Sequence, residues 1–253
     1  MALCSITYYS EKLQRENVMQ VWLPDQLEHR GPFPVLYLLH GGGGDQTTYF
    51  LKSRVQQYAE KMPLVLVAHN GERGYCTDAP DGPAHEQHFL HDVIGFVERF
   101  LPVIPAREAR ALTGQSMGAY SAMKLALKYP NLFGSVLAQA GSYRRGGYQG
   151  STDWPKPIVA DYWRLFGTHP ESGPNDIFAL AEQLDPDSRP MIRFETGLDD
   201  GLIEHARNLH THLERLGIDH QYLEYPGAHN FDTFDAHLRD GLDFLWETLG
   251  KTI

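Results

Sequence analysis

From Pro34 onward the chain alternates short, β-rich apolar runs with longer helical patterns, and this alternation constrains the fold more than any other feature. Parallel strands cannot be joined by tight hairpins and need a crossover, usually a helix, so the pattern specifies βαβ units and a mostly parallel sheet. The strand candidates are Val35–Leu39, Leu64–Ala68, Arg110–Thr113, Ser135–Gln139, Ile192–Thr196 and Gln221–Tyr225. Several are apolar throughout, as strands covered on both faces must be. Helical patterns lie near Arg54–Lys61, His88–Phe100, Met117–Lys128, Ile203–Leu216 and Phe231–Leu249, the third ending before Pro130. Upstream, Ser5–Ser10 and Val18–Leu23 alternate with the period of two of half-exposed strands, which predicts an antiparallel pair at one edge of the sheet. The expectation is an α/β chain with about eight strands and helices on both faces.

The 253 residues exceed the ~150-residue prior for one domain, which allows one large α/β domain or two small ones. No internal repeat, low-complexity tract or linker divides the chain, so residues 1–253 are expected to form a single domain. Between Gly141 and Pro190 the periodicity fails and prolines punctuate short segments carrying Trp154, Tyr162, Trp163 and Phe166. The expectation there is an irregular insertion near the active site, since long irregular stretches in compact domains are usually functional loops.

Composition excludes several classes of function. The hydrophobic content of 42% supports a full core and argues against disorder. With 22 basic and 32 acidic residues the net charge is −10, and no basic run is longer than Arg144-Arg145. Nucleic acid is therefore not an expected partner, because phosphate neutralisation needs clustered positive charge. Runs such as Leu64–Ala68 fall far short of the ~20 residues of a membrane helix, and the N-terminus does not read as a signal peptide. The chain is thus expected to be soluble and cytoplasmic, away from membranes. Cys4 and Cys76 belong to no CxxC or zinc pattern and are expected to be free thiols.

Gly114-Gln115-Ser116-Met117-Gly118 lies between a strand and a helix, the context of a G-x-S-x-G nucleophile elbow. The turn strains the serine backbone, and the two glycines avoid collision with the neighbouring helix and strand. His40-Gly41-Gly42-Gly43-Gly44 ends the first parallel strand, where such a fold supplies one arm of an oxyanion hole. The N–H of Met117, at a helix start, would be the other arm. A Walker-type phosphate loop would require Lys-Ser/Thr after the last glycine, and Asp45-Gln46 stands there.

Of the 13 histidines, His229 lies just beyond the last strand and before the final helix, where a base for Ser116 must come from. An acid must orient its imidazole, and Asp199 or Asp200 follows the preceding strand. The order serine, aspartate, histidine is the one this hydrolase architecture uses. His85, His88 and His91 lack the spacing of a zinc motif and read as a solvated helix start. Asp185, Asp187 and Asp219 read as turn or solvent carboxylates.

The chain resembles the Putative esterase family of α/β-hydrolases, the group of esterase D, S-formylglutathione hydrolase, tributyrin, enterochelin and feruloyl esterases and the mycolyltransferases. The likeness is nearest to the tributyrin esterase branch. It rests on Tyr9–Leu13, Leu38–Gly42, Tyr75–Asp78, Gly114–Tyr120 and Gly227–His229, and covers nearly the whole length. Ala119 and Ser121 depart from the branch, where glycine is common, and Gly41–Gly44 is plainer than the usual loop. The resemblance implies an α/β-hydrolase fold with Ser116 as nucleophile, His229 as base, Asp200 as acid, and the N–H groups of Gly42 and Met117 as oxyanion donors.

The activity this implies is that of a serine carboxylesterase acting on short-chain acyl esters through an acyl-enzyme, with no metal or organic cofactor required. The sequence offers no segment long enough for a large lipase-type cap, and Trp154, Trp163 and Phe166 are the candidates to shape an acyl pocket. Competing readings are an S-formylglutathione thioesterase, a carbohydrate acetyl or feruloyl esterase, an acyltransferase, and a catalytically silent binding module on the same fold. Self-association is left open.

Overall fold

The computed structural model describes residues 1–25, 31–143, 156–167 and 173–253. Among the described residues eight strands form one sheet in the order β1-β2-β4-β3-β5-β6-β7-β8. They are β1 (Ala2–Ser10), β2 (Arg15–Leu23), β3 (Val35–Leu39), β4 (Val65–His69), β5 (Arg110–Gln115), β6 (Ser135–Gln139), β7 (Met191–Gly197) and β8 (Gln221–Tyr225). β1 and β2 are antiparallel to each other and β2 is antiparallel to β4, whereas β4, β3, β5, β6, β7 and β8 run parallel. The antiparallel pair therefore sits at one edge, as its period-two pattern requires.

Helices α1 (Thr48–Lys52) and α2 (Val55–Tyr58) follow β3. After β4 come α3 (His85–Gln87), a π-helical segment (His88–Val93) and α4 (Ile94–Phe100) as one continuous stretch. The remainder are α5 (Met117–Lys128), α6 (Lys156–Phe166), α7 (Ile177–Glu182), α8 (Ile203–Arg215) and α9 (Phe231–Leu249).

Alternation along each strand builds a core on each face of the sheet. Val35, Tyr37 and Leu39 of β3 join Val97 of α4, Met123 of α5 and Leu209 of α8 on one side. Leu36 and Leu38 join Tyr49 of α1, Val55 of α2 and Leu245 of α9 on the other. Burial on both faces is the reason these strands read as continuous apolar runs.

Three expectations need correction. The 141–190 segment is not irregular throughout, because α6 and α7 lie within it. Pro157 is the second residue of α6, where a proline costs no intrahelical hydrogen bond, so it starts the helix rather than breaking it. Asp176 caps α7 by accepting a bond from the Phe178 N–H at 3.0 Å. The helix expected near Arg54–Lys61 is two short helices, beginning earlier, at Thr48, and interrupted at Ser53-Arg54.

The third correction concerns the histidines. His85 and His88 are buried, and only His91 is exposed. Around the His88 ring, Ser10 Oγ lies 2.9 Å from Nδ1, while Tyr8 Oη and Asn17 Nδ2 each lie 3.2 Å from Nε2. Inward-facing polar residues of the edge hairpin thus replace the water that the sequence reading assigned to it. Among the described residues no group of three metal-ligating side chains converges.

Burial lowers the pKa of His40, His69, His85 and His88 below the ordinary imidazole value of 6.5, to about 4 for His85. The unfolded chain binds more protons than the native one between those depressed values and 6.5, so stability must fall as pH is lowered through that window. We expect a thermal midpoint at pH 5 more than about 5 °C below that at pH 7.5, with net proton uptake on unfolding. A flat midpoint across this range would show that these imidazoles titrate normally in the native state.

Candidate active site

The parallel strands deliver their carboxyl ends to one edge of the sheet, and the sharpest turn there is at Ser116. Its backbone has φ +55° and ψ −114°, outside the regions a serine ordinarily occupies. A Cβ at Gly118 would lie 1.9 Å from the Leu39 carbonyl oxygen, and one at Gly114 would lie 2.3 Å from the Gly118 backbone. No side chain fits at either position. The two glycines let α5 pass directly over β3 and β5, while the Ser116 N–H donates to the Gln139 carbonyl at 2.9 Å and holds the turn against β6.

Two further loops meet the elbow. The 41–44 loop after β3 lies against it, with a Cβ at Gly41 placed 3.6 Å from Ser116 Cβ and one at Gly42 placed 4.0 Å from Met117 Cβ. The loops after β7 and β8 are stitched together by the Leu198 N–H donating to the Tyr225 carbonyl at 2.8 Å and the Asp199 N–H to the Gly227 carbonyl at 2.9 Å. That approach again requires a missing side chain, since a Cβ at Gly197 would sit 2.2 Å from the Gly227 oxygen. Gly227 itself has φ +145°, a conformation that favours glycine.

The stitched loops bring Asp200 beside His229. Asp200 is buried, and its Oδ1 accepts the Leu202 N–H at 2.8 Å while Oδ2 lies 2.8 Å from His229 Nδ1. The carboxylate accepts the Nδ1–H, which leaves Nε2 to accept from Ser116 Oγ–H at 3.0 Å. Asp199, its neighbour, is exposed. The imidazole packs edge-on to Phe234 of α9 with ring centroids 5.4 Å apart, and the His229 side chain remains 37% exposed.

An open cleft of about 230 Å³ runs past Ser116 and His229, floored by the 41–44 loop and walled by Thr48, Lys52, Phe231 and Phe234. The sequence reading missed these four wall residues. Their position shortly after the glycine loop or after His229 was the signal that could have found them. Of the aromatic candidates, Phe166 is buried against Tyr75, Tyr120 and Tyr162, away from this cleft. Trp163 is 39% exposed and stacks edge-on to Tyr162. Trp154 lies outside the described residues.

A hydroxyl backed by an imidazole and a carboxylate, beside two backbone amides, can perform acyl transfer. The family model described as "Putative esterase" matches residues 10–245. A curated acetyl esterase of Caldicellulosiruptor saccharolyticus is 25% identical, over 97% of this chain and 98% of its own. An esterase of Mycobacterium tuberculosis is 29% identical over 88% of this chain, which spans 55% of that longer protein. A fluorophosphonate-binding serine hydrolase of Staphylococcus aureus superposes with a TM-score of 0.87 at 20% identity, covering 96% of this chain and 98% of the other. The S-formylglutathione hydrolase of the same species superposes at 0.82 and 20% identity, over 96% and 98%. The fold is that of the α/β-hydrolases.

Only one of two successive aspartates can face His229, and the buried one does. We expect Asp200→Asn to lower kcat by up to ~10⁴-fold, because an amide stabilises the wrong imidazole tautomer. Asp199→Asn should stay within about threefold of wild type, as exposed substitutions away from the reacting groups do. Equal losses at the two positions, measured by initial rates on purified protein, would overturn the assignment.

Proposed function

Because this chain belongs to the Putative esterase family and is a carboxylic ester hydrolase, we propose that it is a serine esterase for short-chain acyl esters, with Ser116 as nucleophile, His229 as base and Asp200 as the orienting acid. The observation that carries the reading is the hydrogen-bonded row from Ser116 Oγ through His229 to Asp200, set in the strained elbow.

In the proposed cycle Ser116 Oγ attacks the ester carbonyl carbon as its proton passes to His229 Nε2. Asp200 stabilises the imidazolium through the Nδ1–H bond. The tetrahedral oxyanion takes hydrogen bonds from the N–H groups of Gly42 and Met117, each contributing about 2.7–4 kcal/mol to the transition state. His229 then gives its proton to the departing alcohol oxygen as the C–O bond breaks. Water repeats the sequence on the acyl-enzyme, releasing the acid and regenerating Ser116.

Two observations support a short acyl group. The cleft of about 230 Å³ is smaller than the ~300–1,000 Å³ of drug-sized ligand sites. The match to the bacterial acetyl esterase spans nearly the full length of both chains. Each methylene accommodated in an apolar pocket is worth about 0.8 kcal/mol, and each one excluded is penalised by clash.

Along a p-nitrophenyl ester series we expect kcat/KM to be highest from acetyl to butyryl and to fall steeply by octanoyl. Ser116→Ala should lose several orders of magnitude in turnover and all labelling by a fluorophosphonate probe, while remaining folded. A profile flat or rising beyond eight carbons would sink the short-acyl assignment. A Ser116→Ala protein with more than about a tenth of the wild-type rate would sink the nucleophile.

A further inference from the structure

We propose that His40 is a positioning residue that locks the Gly41–Gly42 peptide and thereby fixes the direction of the Gly42 N–H. This rests on the reading above, in which that N–H is an oxyanion donor.

His40 is the residue directly after β3 and is buried. Its two ring nitrogens engage two different backbones. Nε2 lies 3.0 Å from the amide nitrogen of Gly71, in the loop after β4. Nδ1 lies 2.8 Å from the carbonyl oxygen of Gly41. An amide N–H can only donate and a carbonyl can only accept, so these partners dictate one state: neutral imidazole, proton on Nδ1, lone pair on Nε2. Burial favours the same neutral form by pushing the pKa down. A Cβ at Gly71 would make only an ordinary contact with His40 Nε2, at 3.6 Å, and would crowd His69 Nε2 at 3.0 Å.

The bond to Gly41 matters because of which peptide it belongs to. The Gly41 C=O and the Gly42 N–H are the two ends of one planar trans unit and point in opposite directions. Whatever anchors the oxygen therefore aims the hydrogen. The unit sits between glycines, where rotation of the whole peptide plane meets no Cβ on either side, so the loop sequence itself does little to prevent a flip. A flipped peptide would present a carbonyl oxygen where the oxyanion needs a donor. Two bonds hold the Gly41 oxygen against that outcome, from His40 Nδ1–H and from the Gly44 N–H at 3.0 Å. The second comes from within the same glycine run, whereas the first is tied through the imidazole to the end of the neighbouring strand. The donor's aim thus depends on the β3–β4 pairing.

The test uses the full chain and the variants His40→Ala, His40→Asn and His40→Gln. Four quantities are read: kcat and KM on p-nitrophenyl butyrate, the inhibition constant of butylboronic acid, which forms a tetrahedral adduct with a serine hydroxyl, and the thermal midpoint. We expect His40→Ala to lower kcat roughly 10- to 100-fold with KM within about threefold, and to weaken the boronic acid by a similar factor. An asparagine amide stands near the Nδ1 position and a glutamine amide near Nε2, so His40→Asn should recover more of both losses than His40→Gln.

Activity within about threefold of wild type in folded His40→Ala would overturn the proposal, as would a loss confined to KM. Should His40→Ala fail to fold, equal kcat values for the Asn and Gln variants would overturn it. A loss that tracks the fall in thermal midpoint across all three variants would reduce His40 to a packing residue and also overturn it. If Ser116→Ala hydrolyses the ester and butylboronic acid fails to inhibit the wild type, the reading of the site falls and this inference with it. With those two controls met, the outcome at His40 bears on the inference alone.

Discussion

The close passage of α5 over the ends of β3 and β5 is the constraint on which the rest of the site depends. Its tightest point is the 1.9 Å between a Cβ position at Gly118 and the Leu39 oxygen. Because the helix begins that close, Ser116 is forced to φ +55°, and its hydroxyl stands clear of both helix and sheet. The same proximity puts the 41–44 loop, which leaves β3 at Leu39, beside the first amide of α5. The proposed nucleophile and both proposed oxyanion donors thus come from one packing contact. The strain at Ser116 is of the order of 1–3 kcal/mol and persists because the sheet ends and the helix over-determine it.

Holding that contact falls to buried polar groups rather than to the apolar cores alone. Lys124 on α5 is buried, and its ammonium donates to Thr77 Oγ1 at 2.9 Å, to the Cys76 carbonyl, and to Glu86 at 2.7 Å. Glu86 also accepts from Lys128 at 2.7 Å and from the Tyr129 hydroxyl at 2.6 Å. These bonds pin α5 to α3 through Glu86 and to the 72–77 loop, in which Glu72, Tyr75 and Cys76 all have positive φ. On the other side Gln139 donates to Glu195 at 2.8 Å and to the Phe234 carbonyl at 2.9 Å, joining β6 to β7 and to the start of α9. Networks this enclosed specify one arrangement of their elements, since a partly broken one leaves a charge or amide buried without a partner. Burial also pushes the Cys76 thiol up to about 12, so that cysteine is a packing group and not a nucleophile at neutral pH.

How much of this was legible in the sequence depends on which signals are local. The bounds of β6, β8, α5 and α9 coincide with the sequence reading, because apolar runs and helical periodicity are carried within each segment. Ser116, the glycine loop and His229 were legible for a related reason: each sits just beyond the end of a strand, where the chain changes direction. Asp200 was not separable from Asp199 by position, and only the resemblance selected it. In the structure the choice comes from burial and from the Leu202 N–H that holds one carboxylate oxygen. The failures are non-local. Pro157 looked like a breaker because its place in the first turn of α6 depends on where that helix starts. His85 and His88 looked solvated because the hairpin residues that surround His88 lie more than 70 positions away in sequence.

The histidines also show what makes one imidazole chemically available among many. His88 has both ring nitrogens within reach of protein partners, and so has His40. His69 leaves Nε2 without a partner, yet the whole residue is buried and burial suppresses its protonation. A base needs one nitrogen committed to a fixed acceptor, the other facing a proton it can take, and access for the substrate. His229 combines these: Nδ1 is held by Asp200, Nε2 faces the Ser116 hydroxyl, and the side chain opens on the cleft. Residue type and chain position nominate several imidazoles, and the partners of the two nitrogens set His40, tied to backbone, and His88, tied to side chains, apart from His229, which faces a hydroxyl proton.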